Sequence, residues 1–229
     1  MNSRTRHRFA ALVLLVIFAP LASFADQPGL LDLRRPPPVH GNAGAAKAAV
    51  CAACHGAAGV APVAAFPNLA GQSADYLYWR LVAFKREARP DAPMTAQVAT
   101  LDGSDLRNLA AHFAALAPAS TTSPKPGEDA AIDRGRALFL HGSPARGVPP
   151  CQGCHGVDAR GHPLADAHVR YRTYPRLRGQ HADYVVQQLT AFRARKRGAS
   201  SNAQIMQGVA KGLDDRAMRD IALWLESQQ

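Results

Sequence analysis

The chain has 229 residues, of which 27 are Lys or Arg and 17 are Asp or Glu, so its formal net charge is +10. Hydrophobic residues make up 47% of it, a fraction too high for an intrinsically disordered chain. Only 7% of the residues are aromatic, so small domains would have few large side chains for their cores. These values indicate one or two globular domains whose cores contain something besides aromatic side chains.

Residues 1–25 have the pattern of a secretory signal peptide. A basic segment precedes an apolar run from Phe9 to Ala19, and Ser23-Phe24-Ala25 supplies small residues on both sides of Phe24, as a cleavage site requires. The run is shorter than the ~20 residues of a membrane span and is interrupted by Pro20, so an uncleaved anchor helix is the weaker alternative. We therefore expect cleavage after Ala25 and export to an oxidising compartment.

The remainder of the chain contains one unit twice. CAACHG at residues 51–56 recurs as CQGCHG at 151–156, and PNLAGQ at 67–72 recurs as PRLRGQ at 175–180. The spacing between equivalent residues grows along the chain from 100 to 108 and then 112, as loop insertions would cause. We therefore predict a proline-rich N-terminal extension (26–40), a first domain (41–117), a linker rich in Pro, Ser and Thr (118–130) and a second domain (131–229).

Both repeats are predicted to be helical. Apolar residues follow helical spacing from Tyr76 to Phe84 and from Tyr184 to Phe192, and again in the last segment of each repeat. Asp102 or Ser104 in the first repeat, and Asp214 in the second, can cap the last helix. Shorter helices are expected at 44–50 and 132–141. No segment alternates with a period of two, so we predict an all-α protein.

Each repeat contains one Cys-x-x-Cys-His motif. The residues concerned are Cys51, Cys54 and His55 in the first repeat, and Cys151, Cys154 and His155 in the second. Two cysteines one helical turn apart can form thioether bonds to the vinyl groups of a haem, and the adjacent histidine can then ligate the iron. All four cysteines of the chain are used in this way. The sequence therefore predicts two covalently attached haems c.

Three other kinds of site could use these cysteines. A structural zinc site takes four ligands from motifs in one domain, whereas these two pairs lie in different repeats. Thioredoxin-like chemistry needs a Cys-x-x-Cys within a βαβ unit, which the helical pattern does not predict. Disulfides suit an exported protein but give no reason for a histidine after both pairs. Haem attachment accounts for every residue of the motif.

A sixth ligand to each iron is expected downstream of the motif. Met94 and Met206 are equivalent, seven residues before the leucine that leads into the last helix, and a thioether suits low-spin iron. Met218 is a rival in the second repeat, but it aligns with Leu106 on the apolar face of the last helix and is predicted to be core. Histidine ligation is a further alternative, although no candidate has a repeat partner that is also histidine: His112, His162, His168 and His181.

Basic residues are concentrated in the second half of the chain. Residues 26–117 contain 8 basic and 7 acidic residues, a net charge of +1, and residues 118–229 contain 16 and 10, a net charge of +6. One cluster lies at 170–178. A second is a candidate docking surface for acidic redox partners, or for anionic lipid, and is formed by Arg193, Arg195, Lys196 and Arg197. A solvated face is the simpler interpretation. The export signal and the lack of a binding motif argue against nucleic acid as a partner.

The order CxxCHG, Pro-x-Leu-x-Gly-Gln-x-Ala-Asp-Tyr, Met and closing helix occurs twice within residues 41–229 and resembles the dihaem cytochrome c4 family of class I c-type cytochromes. The resemblance implies two tandem class I cytochrome c domains, each wrapped around one covalent haem and packed about a pseudo-twofold axis. It implies that the carbonyls of Pro67 and Pro175 accept hydrogen bonds from the proximal histidines. It also implies a periplasmic protein that delivers electrons to a terminal oxidase. The insertion at 162–174 and the prolines at 36–38 depart from the family pattern.

Two functions fit these features. The first is an electron carrier with both irons six-coordinate and no substrate pocket. The second is an enzyme, or the haem subunit of a periplasmic dehydrogenase, acting on a small molecule such as a sulfur compound or a peroxide. Catalysis at the iron needs an open distal position, whereas a methionine is available for both. The sequence therefore favours a carrier that is not itself an enzyme.

Overall fold

The computed structural model of the chain describes residues 39–40, 42–87, 93–119, 124–198 and 200–228. The predicted signal peptide (1–25) and nearly all of the predicted extension (26–40) lie outside the described residues. We call residues 39–119 the first lobe and residues 124–228 the second lobe, and both belong to the same folded unit. No helix in the described ranges is long and apolar enough to cross a bilayer.

The described residues of each lobe form five α-helices in the same order. Those of the first lobe are α1 (Ala43–Ala48), α2 (Ala52–His55), α3 (Ala74–Glu87), α4 (Pro93–Val98) and α5 (Gly103–Ala115). Those of the second lobe are α6 (Asp129–His141), α7 (Gln152–His155), α8 (Ala182–Arg193), α9 (Ser201–Lys211) and α10 (Asp215–Ser227). The second lobe adds two 3-10 helices, Pro144–Arg146 and Val169–Thr173. The described residues contain no strand, only an isolated bridge between Ser143 and Val148, and the predicted all-α fold is confirmed.

The starts of α5 and α10 follow the predicted capping signals, whereas α1 and α6 differ in their bounds from the predicted 44–50 and 132–141. Asp102, and not Ser104, caps α5: its carboxylate accepts the Asp105 N–H at 2.8 Å, and the Asp105 carboxylate accepts the Asp102 N–H at 3.3 Å. Asp214 caps α10 by accepting the N–H of Ala217 at 2.7 Å. Helix α6 begins at Asp129, inside the predicted linker, because an acidic residue in the first turn favours a helix start there.

The first and last helices of each lobe cross at a glycine. Helix α1 packs on α5, and α6 packs on α10. A Cβ on Gly44 would collide with the main-chain carbonyl of Asn108, and a Cβ on Gly135 would collide with that of Asp220. Only glycine allows two backbones to approach so closely. The two lobes therefore use the same helix crossing.

An ion pair with a buried carboxylate reinforces this crossing in the second lobe. The Asp220 carboxylate is buried and accepts hydrogen bonds from Nε and Nη2 of Arg134 at 2.7 and 3.0 Å. Between the same two helices, the rings of Phe139 and Trp224 pack with their centroids 4.5 Å apart. Met218 of α10 is fully buried in the core of this lobe, in agreement with its predicted role.

The two lobes meet through reciprocal hydrogen bonds between equivalent segments. The side chain of Gln72 donates to the Arg176 carbonyl at 2.7 Å and accepts the Arg176 N–H at 2.8 Å. The side chain of Gln180 donates to the Asn68 carbonyl at 3.0 Å and accepts the Asn68 N–H at 2.9 Å. Since Gln72 and Asn68 are the repeat equivalents of Gln180 and Arg176, the contact is the same in both directions, as a pseudo-twofold arrangement requires.

The insertion at 162–174 also lies against the first lobe. Its 3-10 helix, Val169–Thr173, packs on α3, and the hydroxyl of Ser73 donates to the Arg172 carbonyl. The Arg172 guanidinium donates to two carbonyls of its own loop, those of Ala165 and Asp166. The insertion therefore bridges the lobes. One of its arginines, Arg172, stabilises the loop itself.

Candidate haem-binding sites

The first site is built around the short helix α2. Cys51 precedes this helix, and His55 ends it because Gly56 follows with a positive φ of 76°. The His55 side chain is buried, with 5% of the residue exposed, and its Nδ1 lies 2.9 Å from the Pro67 carbonyl oxygen. A carbonyl only accepts, so Nδ1 carries the proton and Nε2 presents a lone pair to a metal.

The second site repeats this geometry. His155 is 7% exposed, ends α7 before Gly156, and places its Nδ1 3.0 Å from the Pro175 carbonyl oxygen. An aromatic ring accompanies each histidine at equivalent positions. The Phe66 centroid lies 6.2 Å from that of His55, and the Tyr174 centroid lies 6.5 Å from that of His155.

Burial keeps both histidines in the neutral form. Desolvation lowers the pKa of His55 and of His155 and outweighs the opposing effect of the hydrogen bond to the proline carbonyl. A neutral imidazole whose Nδ1–H is fixed by a main-chain acceptor is the form that ligates metals.

The four cysteines are free thiols in this structure. Cys51 and Cys151 are half-buried, whereas Cys54 and Cys154 are exposed. Burial raises the pKa of the Cys151 thiol to about 11, and it also raises the pKa of the Cys51 thiol. A catalytic or redox cysteine requires the opposite shift, so these thiols do not have the character of a thioredoxin-like site.

The two candidate methionine ligands lie on equivalent helices. Met94 is the second residue of α4 and is half-buried. Met206 lies in the middle of α9 and packs, half-buried, against the core of the second lobe. In each lobe the methionine therefore lies two α-helices after the α-helix that ends at the histidine.

The histidines considered as alternative ligands make other contacts. His181 places Nε2 3.0 Å from the Ala61 carbonyl of the first lobe and Nδ1 3.5 Å from the Glu226 carboxylate. His162 stacks on Tyr171 at a centroid distance of 3.7 Å, and His168 meets the same ring edge-on. His112 lies on α5 beside Phe113.

One member of the predicted docking cluster, Arg197, lies buried between the lobes and not at the surface. Arg197 is only 7% exposed and donates to the Tyr76 hydroxyl of the first lobe at 3.0 Å and to Gln188 at 2.9 Å. Its guanidinium also lies 4.3 Å above the centroid of the Phe192 ring. Arg197 therefore joins the two lobes, because the half-buried Tyr76 of the first lobe places its hydroxyl within hydrogen-bond distance of the guanidinium.

The other members of the cluster have separate surroundings. Arg193 donates to the Leu213 carbonyl at 3.1 Å and to the Asp215 carboxylate at 2.6 Å. Arg195 and Lys196 are exposed. The run of basic residues is thus divided between a lobe contact, a contact within the second lobe and the surface.

The donor set fits haem c in both lobes. Two cysteine thiols flank one helical turn, a neutral histidine with an oriented ring follows directly, and a thioether sulfur is available farther along each lobe. A haem would also supply each core with a large apolar group, which the few aromatic side chains of the chain do not provide.

The geometry agrees with comparisons with known proteins. A family model described as Cytochrome c matches residues 42–116 and 132–229, so the chain contains two cytochrome c domains. Cytochrome c4 of Pseudomonas aeruginosa is 38% identical over 184 residues, which cover 80% of this chain and 86% of that protein. The crystal structure of reduced recombinant cytochrome c4 from Pseudomonas stutzeri superposes with a TM-score of 0.73 at 34% identity, covering 84% of this chain and all of that one.

A further relative has a more specific name. The thiosulfate dehydrogenase electron acceptor of Thiomonas intermedia is 33% identical over 167 residues, covering 73% of this chain and 72% of that protein. Taken together, the matches show that this chain belongs to the dihaem cytochrome c4 family of class I c-type cytochromes. It is an electron-transfer cytochrome that carries two haems c.

Proposed function

We propose that this cytochrome is a periplasmic carrier of single electrons, with one haem held by Cys51 and Cys54 and the other by Cys151 and Cys154. The axial ligands are His55 and Met94 in the first lobe and His155 and Met206 in the second. The observation that carries this assignment is the matched pair of buried histidines, each with Nδ1 bound to a proline carbonyl and Nε2 left for the iron.

Each residue of the site has a defined task. Haem c supplies an iron that gains or loses one electron. The proline carbonyl fixes the plane of the imidazole and increases its basicity. The methionine thioether would favour the ferrous state of the bound haem, and as a ligand it would compete with any substrate for the iron. Electron transfer without bond making needs only this fixed environment and a surface on which a partner docks.

The surplus of positive charge on the second lobe suits a redox protein with an acidic docking surface. Arg195 and Lys196 are exposed on the second lobe, whereas Arg197 is buried. Long-range attraction raises the rate of encounter without a large interface. A terminal oxidase is the acceptor that the family resemblance suggests, and the same charge would favour peripheral association with anionic lipid.

The assignment is tested on the purified holoprotein. A reduced pyridine haemochrome counts the c-type haems, and the far-red charge-transfer band of the ferric protein reports methionine ligation. We expect two haems c per chain and a band of the strength that two methionine-ligated haems give. One haem, or a spectrum of bis-histidine ligation, would contradict the assignment.

A second candidate role is that of electron acceptor for an enzyme that oxidises a sulfur compound. The relative from Thiomonas intermedia, whose name states this role, supports it. Rapid mixing of the ferric protein with a thiosulfate dehydrogenase and thiosulfate would show haem reduction at a rate proportional to cytochrome concentration if the two proteins are partners. Reduction that is no faster than with thiosulfate alone would exclude this role.

A further inference from the structure

Each lobe has a cationic side chain at the end of the long helix that lies between its haem-motif histidine and its methionine. Lys85 lies in the last turn of α3 and Arg193 in the last turn of α8, and the two residues are equivalent in the repeat. Both side chains reach the loop that follows the methionine-bearing helix, and each donates to the carbonyl of the leucine there, Leu101 in the first lobe and Leu213 in the second.

Lys85 holds three carbonyls at once. Its Nζ lies 3.4 Å from the oxygen of Val98, 2.8 Å from that of Ala99 and 2.7 Å from that of Leu101. These groups are at or just beyond the end of α4, where helix carbonyls have no partners within the helix and attract a positive charge. An ammonium group has three protons to donate, so Lys85 satisfies three such acceptors.

The helix that Lys85 holds has little stability of its own. Helix α4 has six residues, Pro93–Val98, which is too short to form independently in water. Its contacts are therefore what fix Met94. At its C-terminal end these are the buried side chain of Val98 and the hydrogen bonds from Lys85.

Arg193 makes the corresponding contact with two anchors. Nη1 donates to the Leu213 carbonyl at 3.1 Å, and Nη2 donates to the Asp215 carboxylate in the first turn of α10 at 2.6 Å. The loop between α9 and α10 is thereby tied to α8. Both methionine-bearing helices pack on the long helix before them, but α9 has eleven residues and α4 has six. We therefore expect Met206 to depend less on this cation than Met94 does on Lys85.

We propose that Lys85 and Arg193 are positioning residues that hold Met94 and Met206 against the irons, a role that rests on the axial ligands proposed above. Each cation fixes the C-terminal end of the methionine-bearing segment and so opposes the displacement that would let another ligand take the sixth position. Two independent copies of the contact, made by different residue types, support a shared task.

The test compares ligand exchange in charge-matched variants of the ferric holoprotein. Lys85→Met keeps the length of the side chain and removes the donors, and Arg86→Met removes the exposed neighbouring cation. Imidazole affinity is measured for each haem separately by NMR, together with the methionine signals and the reduction potentials. We expect Lys85→Met to raise imidazole affinity about ten-fold at the first haem, the effect of losing charge-assisted hydrogen bonds, and to lower its potential.

The second lobe supplies a parallel pair of variants. Arg193→Met should raise imidazole affinity at the second haem by a smaller factor than Lys85→Met does at the first, and Lys211→Met, which removes an exposed cation of α9 itself, should change nothing. The exchanges Lys85→Arg and Arg193→Lys should restore most of the wild-type affinity, because each lobe already works with one of these two residues.

The possible outcomes distinguish failure of the positioning role from failure of the proposed axial ligands. If the wild type lacks a methionine signal at either haem, the axial assignment fails for that lobe and the positioning role fails with it. If both signals are present and Lys85→Met lowers only the temperature of unfolding, with imidazole affinity at the first haem unchanged, the contact is structural and the positioning role is overturned.

Discussion

Gln72 and Gln180 lie at equivalent positions in the two lobes, and each binds the main-chain N–H and carbonyl of one residue in the other lobe. The residues they bind, Arg176 and Asn68, are themselves equivalent. These bonds are joined by two side-chain contacts of the same symmetry, from Asn68 to the Gly179 carbonyl at 3.0 Å and from Arg176 to the Gly71 carbonyl at 2.6 Å. Six hydrogen bonds between the lobes therefore obey one symmetry.

Replacement of Gln180 by Ala should weaken this joint. The change leaves the N–H and carbonyl of buried Asn68 without their partner, at a cost of about 1–3 kcal/mol for each buried group that stays unsatisfied. Denaturant unfolding of Gln180→Ala measures the loss. Gln204→Ala, at an exposed position of α9, serves as the control and should unfold like the wild type. Equal stability of the two variants would show that water replaces the glutamine without cost.

The two methionines of the second lobe should respond differently to truncation. Met206→Ala should open the second iron to added imidazole and lower its reduction potential, because the thioether favours the ferrous state. Met218→Ala should instead destabilise the fold by about 2–5 kcal/mol, since it empties a fully buried site. Imidazole titration and thermal unfolding of both variants check this, and similar spectra for the two would mean that the ligand assignment is wrong.

Charge reversal should distinguish the surface part of the basic run from its buried member. The double change of Arg195 and Lys196 to Glu should slow reaction with an acidic redox partner at low salt and flatten the salt dependence of the rate, leaving both haem spectra unchanged. Arg197→Glu should lower the stability of the folded protein, because it places a carboxylate against Tyr76 and Phe192. Stopped-flow rates over a range of salt concentrations and thermal unfolding measure the two effects. An unaffected low-salt rate in the double variant would return Arg195 and Lys196 to the role of solvated charges.

Alanine should be tolerated at one glycine of the second lobe and not at another. Gly135→Ala should destabilise the protein by about 1–3 kcal/mol, because its Cβ would force α6 away from the Asp220 carbonyl. Gly153→Ala meets no atom within 4 Å, and the first repeat already has Ala53 at this position. Unfolding midpoints of the two variants provide the comparison, and a neutral Gly135→Ala would show that the helices can separate at little cost.

The two haems should differ in reduction potential. Oxidation adds one positive charge at the iron, so the net charge of +6 on residues 118–229, against +1 on residues 26–117, should disfavour oxidation of the second haem. We expect the haem of the second lobe to have the higher potential, by a modest amount because exposed charges are screened. Redox titration followed by NMR resolves the two haems, and a higher potential at the first would reverse the ordering.

The sequence predicted what is determined locally. Helical spacing and capping residues identified α3, α5, α8 and α10, and they placed Met218 on the apolar face of α10, because these patterns involve residues within a few turns of one another. The fate of Arg197 could not be predicted in this way. Its partner Tyr76 is 121 residues away, and without the first lobe the run from Arg193 to Arg197 has the composition of a solvated face.

Two pairs of contacting residues can be recognised by comparing the two repeats, although neither pair can be recognised from one repeat alone. Lys85 and Arg193 align as cations in the two repeats, which indicates a shared task and not a surface cluster confined to the second lobe. The Gly-Gln pairs ending at Gln72 and Gln180 also align, but their partner is main chain, which has no sequence signature.

The reciprocity of the lobe contacts has a consequence for how the two halves are held together. Contacts in which each half offers the same donor and acceptor surface are those of a homodimer, and they would close equally well between two separate chains. Covalent connection turns that association into an intramolecular step at high effective concentration, so a few hydrogen bonds suffice where two free subunits would need a larger apolar interface. Gln72 and Gln180 bind backbone atoms of Arg176 and Asn68, and these two residues each donate a side-chain hydrogen bond to a glycine carbonyl of the other lobe. An amide and a guanidinium can thus fill the same place in the joint, which lets its two halves carry different charge.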